Sequence, residues 1–310
     1  MKLHALLLLV PLLALPWSAG CAARPPTRVH VPERGVQYIE ANGLRFAYLA
    51  DGRPEDPLVL LLHGFPDTAH AWDAVRPALA ARGFYVVSPF LRGYAPSGIP
   101  REDAYDAETL GRDVIGLIAA FARRDADVVG HDWGALLAYS AAALAPERVR
   151  RLVTLAIPHP ATLKLRLRDI RRARHFLALR RRGAADKFAR DDFAGVDELY
   201  ERWSPTWRSG PAEREAVKNT FAAPGSLRGA LGYYRRLKFK APAFLRVKTR
   251  APSLVIAGID DGTTPLDAFD DVSGFAGPVR VVKVPTGHFP QRERPDVVIP
   301  LLLEFLTPPR

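Results

Sequence analysis

The chain has 310 residues, 48% of them hydrophobic, enough to bury the core of one enzyme-sized domain with an insertion and too apolar for a disordered chain. Its net charge is +11, and its basic residues crowd one stretch, Lys164 to Arg190. No nucleic-acid-binding motif accompanies them, so the stretch reads as a solvated helix face, with an anionic membrane surface as the alternative, and nucleic acid is excluded as a partner. The only cysteine is Cys21, which excludes an internal disulfide.

Lys2 supplies a short positive region and Leu3 to Leu15 an apolar one, and Pro16-Trp17-Ser18-Ala19-Gly20-Cys21 ends in small residues. Residues 1–23 therefore read as a signal peptide, outside the fold and implying export. Ser18-Ala19-Gly20-Cys21 resembles a bacterial lipoprotein cleavage box, departing from it at Ser18, where leucine is usual. Two outcomes stay open. Lipidation at Cys21 would anchor the protein to a membrane; a plain secretory cut near Ala23 would leave it in the periplasm. The apolar run is short for an uncleaved span. Residues 24–35, rich in Pro and Arg from Arg24 to Pro32, read as a linker.

Gln37 to Ala41 and Leu44 to Ala50 alternate loosely around Asn42-Gly43, a hairpin signal. Leu58 to Leu62 is a continuous apolar run, as in a buried parallel strand, and it ends at His63-Gly64-Phe65-Pro66. A helix is expected over Ala69–Ala81, a strand over Phe84–Ser88 leading into the loop 89–97, and a helix over Thr109–Arg123. Ala126-Asp127-Val128-Val129 then runs through Gly130-His131-Asp132-Trp133-Gly134 into an Ala/Leu-rich helix, Ala135–Ala145. Val149–Ala156 is the next strand. After Ile157-Pro158 the alternation stops, and residues 159–247 are Arg-rich and helical. It resumes with a strand over Ser253–Gly258, a helix over Pro265–Phe275, a strand over Val279–Val284 and a closing helix over Asp296–Leu306. This is the pattern of an α/β fold with a mostly parallel, doubly wound sheet. Residues 36–158 and 248–310 form its core, and 159–247 an inserted helical cap over the C-terminal edge of the sheet, where such folds bind ligands.

The five residues from Gly130 to Gly134 have the form G-x-S-x-G between a strand and a helix, with Asp132 in place of serine. The glycines permit a strained turn that exposes the middle side chain. A carboxylate there is ionised at neutral pH, with a reference pKa of about 3.9. It can attack carbon without a base to remove a proton, forming an ester.

From about residue 36 to the C-terminus the chain resembles α/β-hydrolases of the epoxide hydrolase and haloalkane dehalogenase group. The resemblance implies a hydrolase that needs no metal or organic cofactor and acts on a small apolar epoxide or halogenated substrate. His63-Gly64-Phe65-Pro66 matches the group's H-G-x-P loop, which implies that the N–H of Phe65 is one oxyanion donor and the N–H of Trp133 the second. His288, in Val284-Pro285-Thr286-Gly287-His288-Phe289, stands where the group has its water-activating base, an assignment that suits imidazole. The orienting acid follows the strand ending at Gly258, and the usual G-x-x-D spacing favours Asp261 over Asp260. His63 and His131 belong to their motifs through backbone geometry.

The inserted stretch bears on the substrate. Epoxide hydrolases of this group carry two cap tyrosines that donate to the epoxide oxygen. Leu231-Gly232-Tyr233-Tyr234-Arg235 resembles the motif of the second, which lands on Tyr234. The other position, by spacing to Gly183, holds His175, as in a branch with a His/Tyr pair, and His175 is expected to donate a hydrogen bond there. The leading expectation is an exported epoxide hydrolase. A haloalkane or haloacetate dehalogenase with the same Asp-His-Asp core is the alternative. A non-catalytic scaffold used for binding is a third reading, opposed by the complete set of nucleophile, base and acid.

Overall fold

A computed structural model describes residues 35–163, 170–238 and 240–307. The expected signal peptide, Cys21 and the linker as far as residue 34 lie outside the described residues. Strands β1 (Gln37–Ala41) and β2 (Leu44–Asp51) form an antiparallel hairpin. Its turn residues Asn42 and Gly43 have φ of 46° and 70°, the left-handed pair that Asn-Gly supplies most readily.

Then follow β3 (Leu58–Leu62), α1 (Val75–Ala80), β4 (Tyr85–Pro89), α2 (Ala107–Ala120), β5 (Ala126–His131), α3 (Trp133–Leu144) and β6 (Val149–Leu155). Among the described residues, six α-helices separate β6 from the next strand: α4 (Ile170–Leu179), α5 (Ala184–Phe188), α6 (Arg190–Trp203), α7 (Pro211–Ala222), α8 (Ser226–Ala230) and α9 (Gly232–Arg236). The chain closes with β7 (Ser253–Gly258), β8 (Val279–Val284), α10 (Pro290–Glu293) and α11 (Pro295–Leu306).

The eight strands form one sheet in the order β1-β2-β4-β3-β5-β6-β7-β8. β2 pairs antiparallel with β1 and β4, and every other pairing is parallel. The α/β class expected from the alternation is therefore the one observed. β3 shows why the sheet sits at the centre. Leu58, Leu60 and Leu62 face the cluster that includes Val114 and Leu117 of α2 and Leu137 of α3. Val59 and Leu61 face Val75 and Leu79 of α1 and Val298, Leu302 and Leu306 of α11. A strand buried on both faces must be apolar throughout, which is how β3 reads. Leu199, Trp203, Phe221 and Tyr234 of the six-helix stretch belong to the first of these clusters.

Two expected helices are shorter than the periodicity suggests. Ala69–Ala81 is split into a 3-10 turn, Ala69–Trp72, and α1. Pro77 has no N–H and is tolerated only in a first turn, so the α-helix begins just ahead of it. Asp73, at the break, takes the Arg76 guanidinium and the His70 ring at 2.8 Å each. Pro265–Phe275 keeps only a 3-10 turn, Leu266–Phe269. Asp271 accepts the backbone N–H of Ser273 at 3.1 Å, a local bond that competes with helix.

Candidate active site

β5 ends at His131 and α3 begins at Trp133, leaving Asp132 between them at φ 50° and ψ −117°. An L-residue is held there only where its surroundings over-determine it. The flanking glycines provide that constraint. A Cβ on Gly130 would lie 2.2 Å from the Gly134 carbonyl oxygen, and one on Gly134 2.2 Å from that of Leu62. Asp132 Oδ1 accepts the Phe65 N–H at 2.9 Å. Burial alone would raise its pKa, but the His288 ring and the Phe65 N–H outweigh it and hold the carboxyl below its usual range.

His288 follows β8 and is buried against two carboxylates. Its Nδ1 lies 2.9 Å from Asp261 Oδ2 and 3.0 Å from Thr263 Oγ1. Its Nε2 lies 3.5 Å from Asp132 Oδ2. Asp261 Oδ1 accepts the backbone N–H groups of Thr263 and Thr264 and the Thr263 hydroxyl, so one oxygen is left to orient the imidazole. Asp260 is exposed, and the carboxylate that meets His288 Nδ1 is that of Asp261. Burial disfavours the imidazolium, but the charges of Asp261 and Asp132 overcome it and push the His288 pKa up to about 10.

His63 and His131, expected to belong to their motifs through backbone geometry, also bind through their side chains. The Nδ1–H of His63 donates to the Gly64 carbonyl at 2.9 Å and its Nε2 accepts the Leu91 N–H at 3.1 Å. The Nε2–H of His131 donates to the His288 carbonyl at 2.7 Å. Burial lowers both to about 3, so both are neutral braces. A buried ion pair, Asp67 with Arg292 at 2.6 and 2.9 Å, ties the loop after Phe65 to α10.

The helices between β6 and β7 cover this group. The Tyr234 ring meets Phe65 and Trp133 edge-on, with centroids 5.3 and 5.0 Å away. Its hydroxyl is buried and has no hydrogen-bond partner. Burial and then the Asp132 charge push its pKa well up, and the Trp133 indole leans toward it without closing a hydrogen bond. Its neighbour Tyr233 donates to the Arg92 carbonyl at 2.9 Å and is a packing residue.

His175 also turns inward, its ring 4.9 Å from Trp203 and 6.3 Å from Tyr234. It departs from the expected role. Its Nδ1–H is committed to the Arg172 carbonyl at 2.8 Å. Burial lowers its pKa to about 4, so the neutral ring has only the Nε2 lone pair left to offer and is an acceptor. Trp203 lies between His175 and His288, whose ring is 5.1 Å from it.

Three residues of the site escaped the motifs. Thr263 braces His288 and Asp261, and Ser204 and Glu293 bind the backbone around His288. The Asp261-Gly262-Thr263-Thr264 loop carries an Asx-turn composition that could have revealed Thr263. Ser204 and Glu293 carry no such signal. Among the described residues no group of three or more His, Cys, Asp or Glu could hold a metal ion, and no helix is long and apolar enough to cross a membrane.

A family model described as alpha/beta hydrolase fold matches residues 57–295. Epoxide hydrolase A of Mycobacterium tuberculosis is 32% identical, covering 87% of this chain and 96% of its own. Epoxide hydrolase 4 of Mus musculus is 28% identical, covering 96% and 89%. Among solved structures, a mutant epoxide hydrolase of Bacillus megaterium, complexed with a naphthyloxy-propanediol product, superposes with a TM-score of 0.79 at 27% identity, over 87% of this chain and 99% of the other. Epoxide hydrolase A of Mycobacterium thermoresistibile superposes with a TM-score of 0.75 at 28% identity, over 87% and 97%.

Proposed function

The chain belongs to the α/β-hydrolase fold family, in its epoxide hydrolase group, and from that premise we propose that it opens epoxides to diols through an ester on Asp132. One observation carries the reading. A carboxylate held below its usual pKa lies within electrostatic reach of a cap phenol, Tyr234, that is buried without a partner. An ionised nucleophile needs no base, and a neutral O–H suits the alkoxide that ring opening creates.

An Asp132 oxygen bonds to an epoxide carbon, the ring C–O bond breaks toward oxygen, and that oxygen takes the Tyr234 proton. In the resting site two carboxylates keep His288 charged. Esterification removes one of them, so the imidazolium can return a proton to the Tyr234 phenolate and becomes a base. It then takes a proton from water, whose oxygen adds to the ester carbonyl carbon. The N–H groups of Phe65 and Trp133 hold the oxyanion; each such donor is worth roughly 10²–10³ in rate. Collapse expels the diol alkoxide, which takes the remaining proton of the new carboxyl group. Asp132 and the charged His288 are restored, and the net reaction is epoxide plus water to diol.

Dehalogenation by the same core is the second reading. It rests on two buried indole N–H groups without partners, those of Trp133 and Trp203, since expelling a halide needs polarised N–H groups and no proton. Offering the purified protein matched epoxides and halocarbons decides between the two: diol without halide supports the first reading, and halide release with inert epoxides replaces it by the second.

Export belongs to the proposal as well. The apolar run from Leu3 to Leu15 and the box ending at Cys21 support a periplasmic or lipid-anchored enzyme.

A further inference from the structure

We propose that Ser204, from the cap, and Glu293, from α10, are positioning residues that mount the base for ester hydrolysis. Three consecutive amides of the His288 loop converge on them. The His288 N–H donates to Ser204 Oγ at 2.7 Å and lies 3.2 Å from the Trp203 carbonyl. The Gly287 and Phe289 N–H groups donate to the Glu293 carboxylate at 2.7 and 2.9 Å. The Ser204 hydroxyl donates to the same carboxylate at 2.6 Å and closes the network. Ser204 is fully buried, and a Cβ on Gly287 would lie 2.5 Å from its Cα and Oγ, so the loop is seated on it without slack. The Trp203 carbonyl also accepts the Gly262 N–H at 3.0 Å, beside the acid Asp261. The end of α6 thus holds both halves of the base-acid pair.

The consequence is specific to one step. Ring opening uses Asp132 and Tyr234, whereas water activation uses His288, whose Nε2 must face a water beside the ester. Misplacing a catalytic group by about 1 Å can cost about 10²-fold in rate. Loosening the mount should therefore slow hydrolysis of the ester and leave its formation alone. A residue that only supports the fold would slow both steps together.

The inference rests on the ester route, and the test separates the two. Single turnovers of one epoxide are quenched, and the ester on the Asp132 peptide is followed by mass in the full-length protein, in Ser204→Ala and in His288→Gln. In Ser204→Ala the ester should accumulate, with its formation within about twofold of the parent and its hydrolysis slowed roughly 10- to 100-fold. Ser204→Thr, which keeps the hydroxyl, should restore hydrolysis. If Ser204→Ala melts too low to assay, Glu293→Gln, which points an amide N–H at N–H donors, should give the same accumulation. Hydrolysis unchanged, or both steps slowed equally, overturns the mount. Absence of ester even in His288→Gln overturns the ester route, and the mount with it.

Discussion

His288 Nε2 stands 3.5 Å from Asp132 Oδ2, in ion-pair range, while no hydrogen bond closes between them. Nucleophile and base are therefore coupled through charge. Each carboxylate near His288 favours its protonated form, and Asp132 is one of the two that raise its pKa. On the proposed route, ester formation would delete that charge, and the same residue would serve as counter-ion first and base second.

The first prediction follows from that order of events. His288→Gln puts a neutral side chain of similar reach in place of the imidazolium and cannot accept the water proton. Ring opening should proceed and the ester should persist, adding the mass of the epoxide to the peptide that contains Asp132. Asp132→Asn should give no adduct and no turnover. Mass spectrometry after incubation with an active substrate checks both; an intact His288→Gln protein that shows no adduct rules the ester out.

A second prediction separates the two inward-facing cap residues. Tyr234→Phe removes the only O–H of that ring and should lower epoxide opening by roughly the 10²–10⁴ of a general acid. His175 holds its one proton on the Arg172 carbonyl, so His175→Phe should lower it by less than about tenfold, the effect of lost polarity alone. Stopped-flow or single-turnover rates distinguish them. Equal losses in the two variants would mean that His175 donates after all, through the other tautomer.

The legible parts of this chain are those written in local pattern. β3 is five apolar residues because both its faces are covered, and Asn42-Gly43 encodes its own turn. Asp132, His288 and Asp261 can be named because each follows a strand in a recognisable context, and the structure brings the three together. Residues whose role depends on distant chain could not. Ser204 lies 84 residues from the amide it accepts, and Glu293 lies 89 from Ser204. The tautomer of His175 is set by a carbonyl one turn earlier, which composition does not reveal. The helix expected over Pro265–Phe275 failed for a local reason of the kind periodicity ignores, the bond from the Ser273 N–H to Asp271.

A third prediction concerns the buried pair Arg92–Asp113. The guanidinium meets both carboxylate oxygens, at 2.6 and 2.7 Å, and Asn42 donates to one of them at 2.7 Å. Removing one partner leaves a buried charge without its counter-ion. Arg92→Met should lower the unfolding free energy by about 3–5 kcal/mol, and Arg92→Met with Asp113→Leu by clearly less. Urea unfolding checks the order; a double variant less stable than the single would contradict it.

The fourth prediction concerns Cys21. Labelled fatty acid should be incorporated when the chain is made in a bacterial host with lipoprotein processing, and lost in Cys21→Ser. A mature N-terminus near Arg24 without label decides for the plain secretory cut.

The last prediction is a pH dependence of stability. His63 and His131 are held at about 3, and His159 and His175 at about 4, in each case chiefly by burial. Unfolded, each returns to about 6.5. Between pH 6.5 and 5 the unfolded chain therefore binds up to four protons that the folded chain does not. Stability rises with pH wherever the unfolded state binds more protons, so it is lost as the pH falls, by up to about 1.4 kcal/mol per pH unit for each. His288 does not offset this. Its pKa is raised, so below 6.5 it is protonated in both states, and its stabilisation is lost only as pH rises through about 10. The midpoint of urea unfolding should therefore drop steeply from pH 7 to 5, above the range where ordinary carboxylates titrate, with the slope of the transition unchanged. His159→Asn keeps an acceptor for the Ala161 N–H, which His159 Nδ1 accepts at 3.1 Å, and removes one titrating group. It should flatten the pH dependence by about a quarter, one proton in four. A midpoint that stays level or rises as the pH falls to 5 would show that these histidines are already charged in the folded protein.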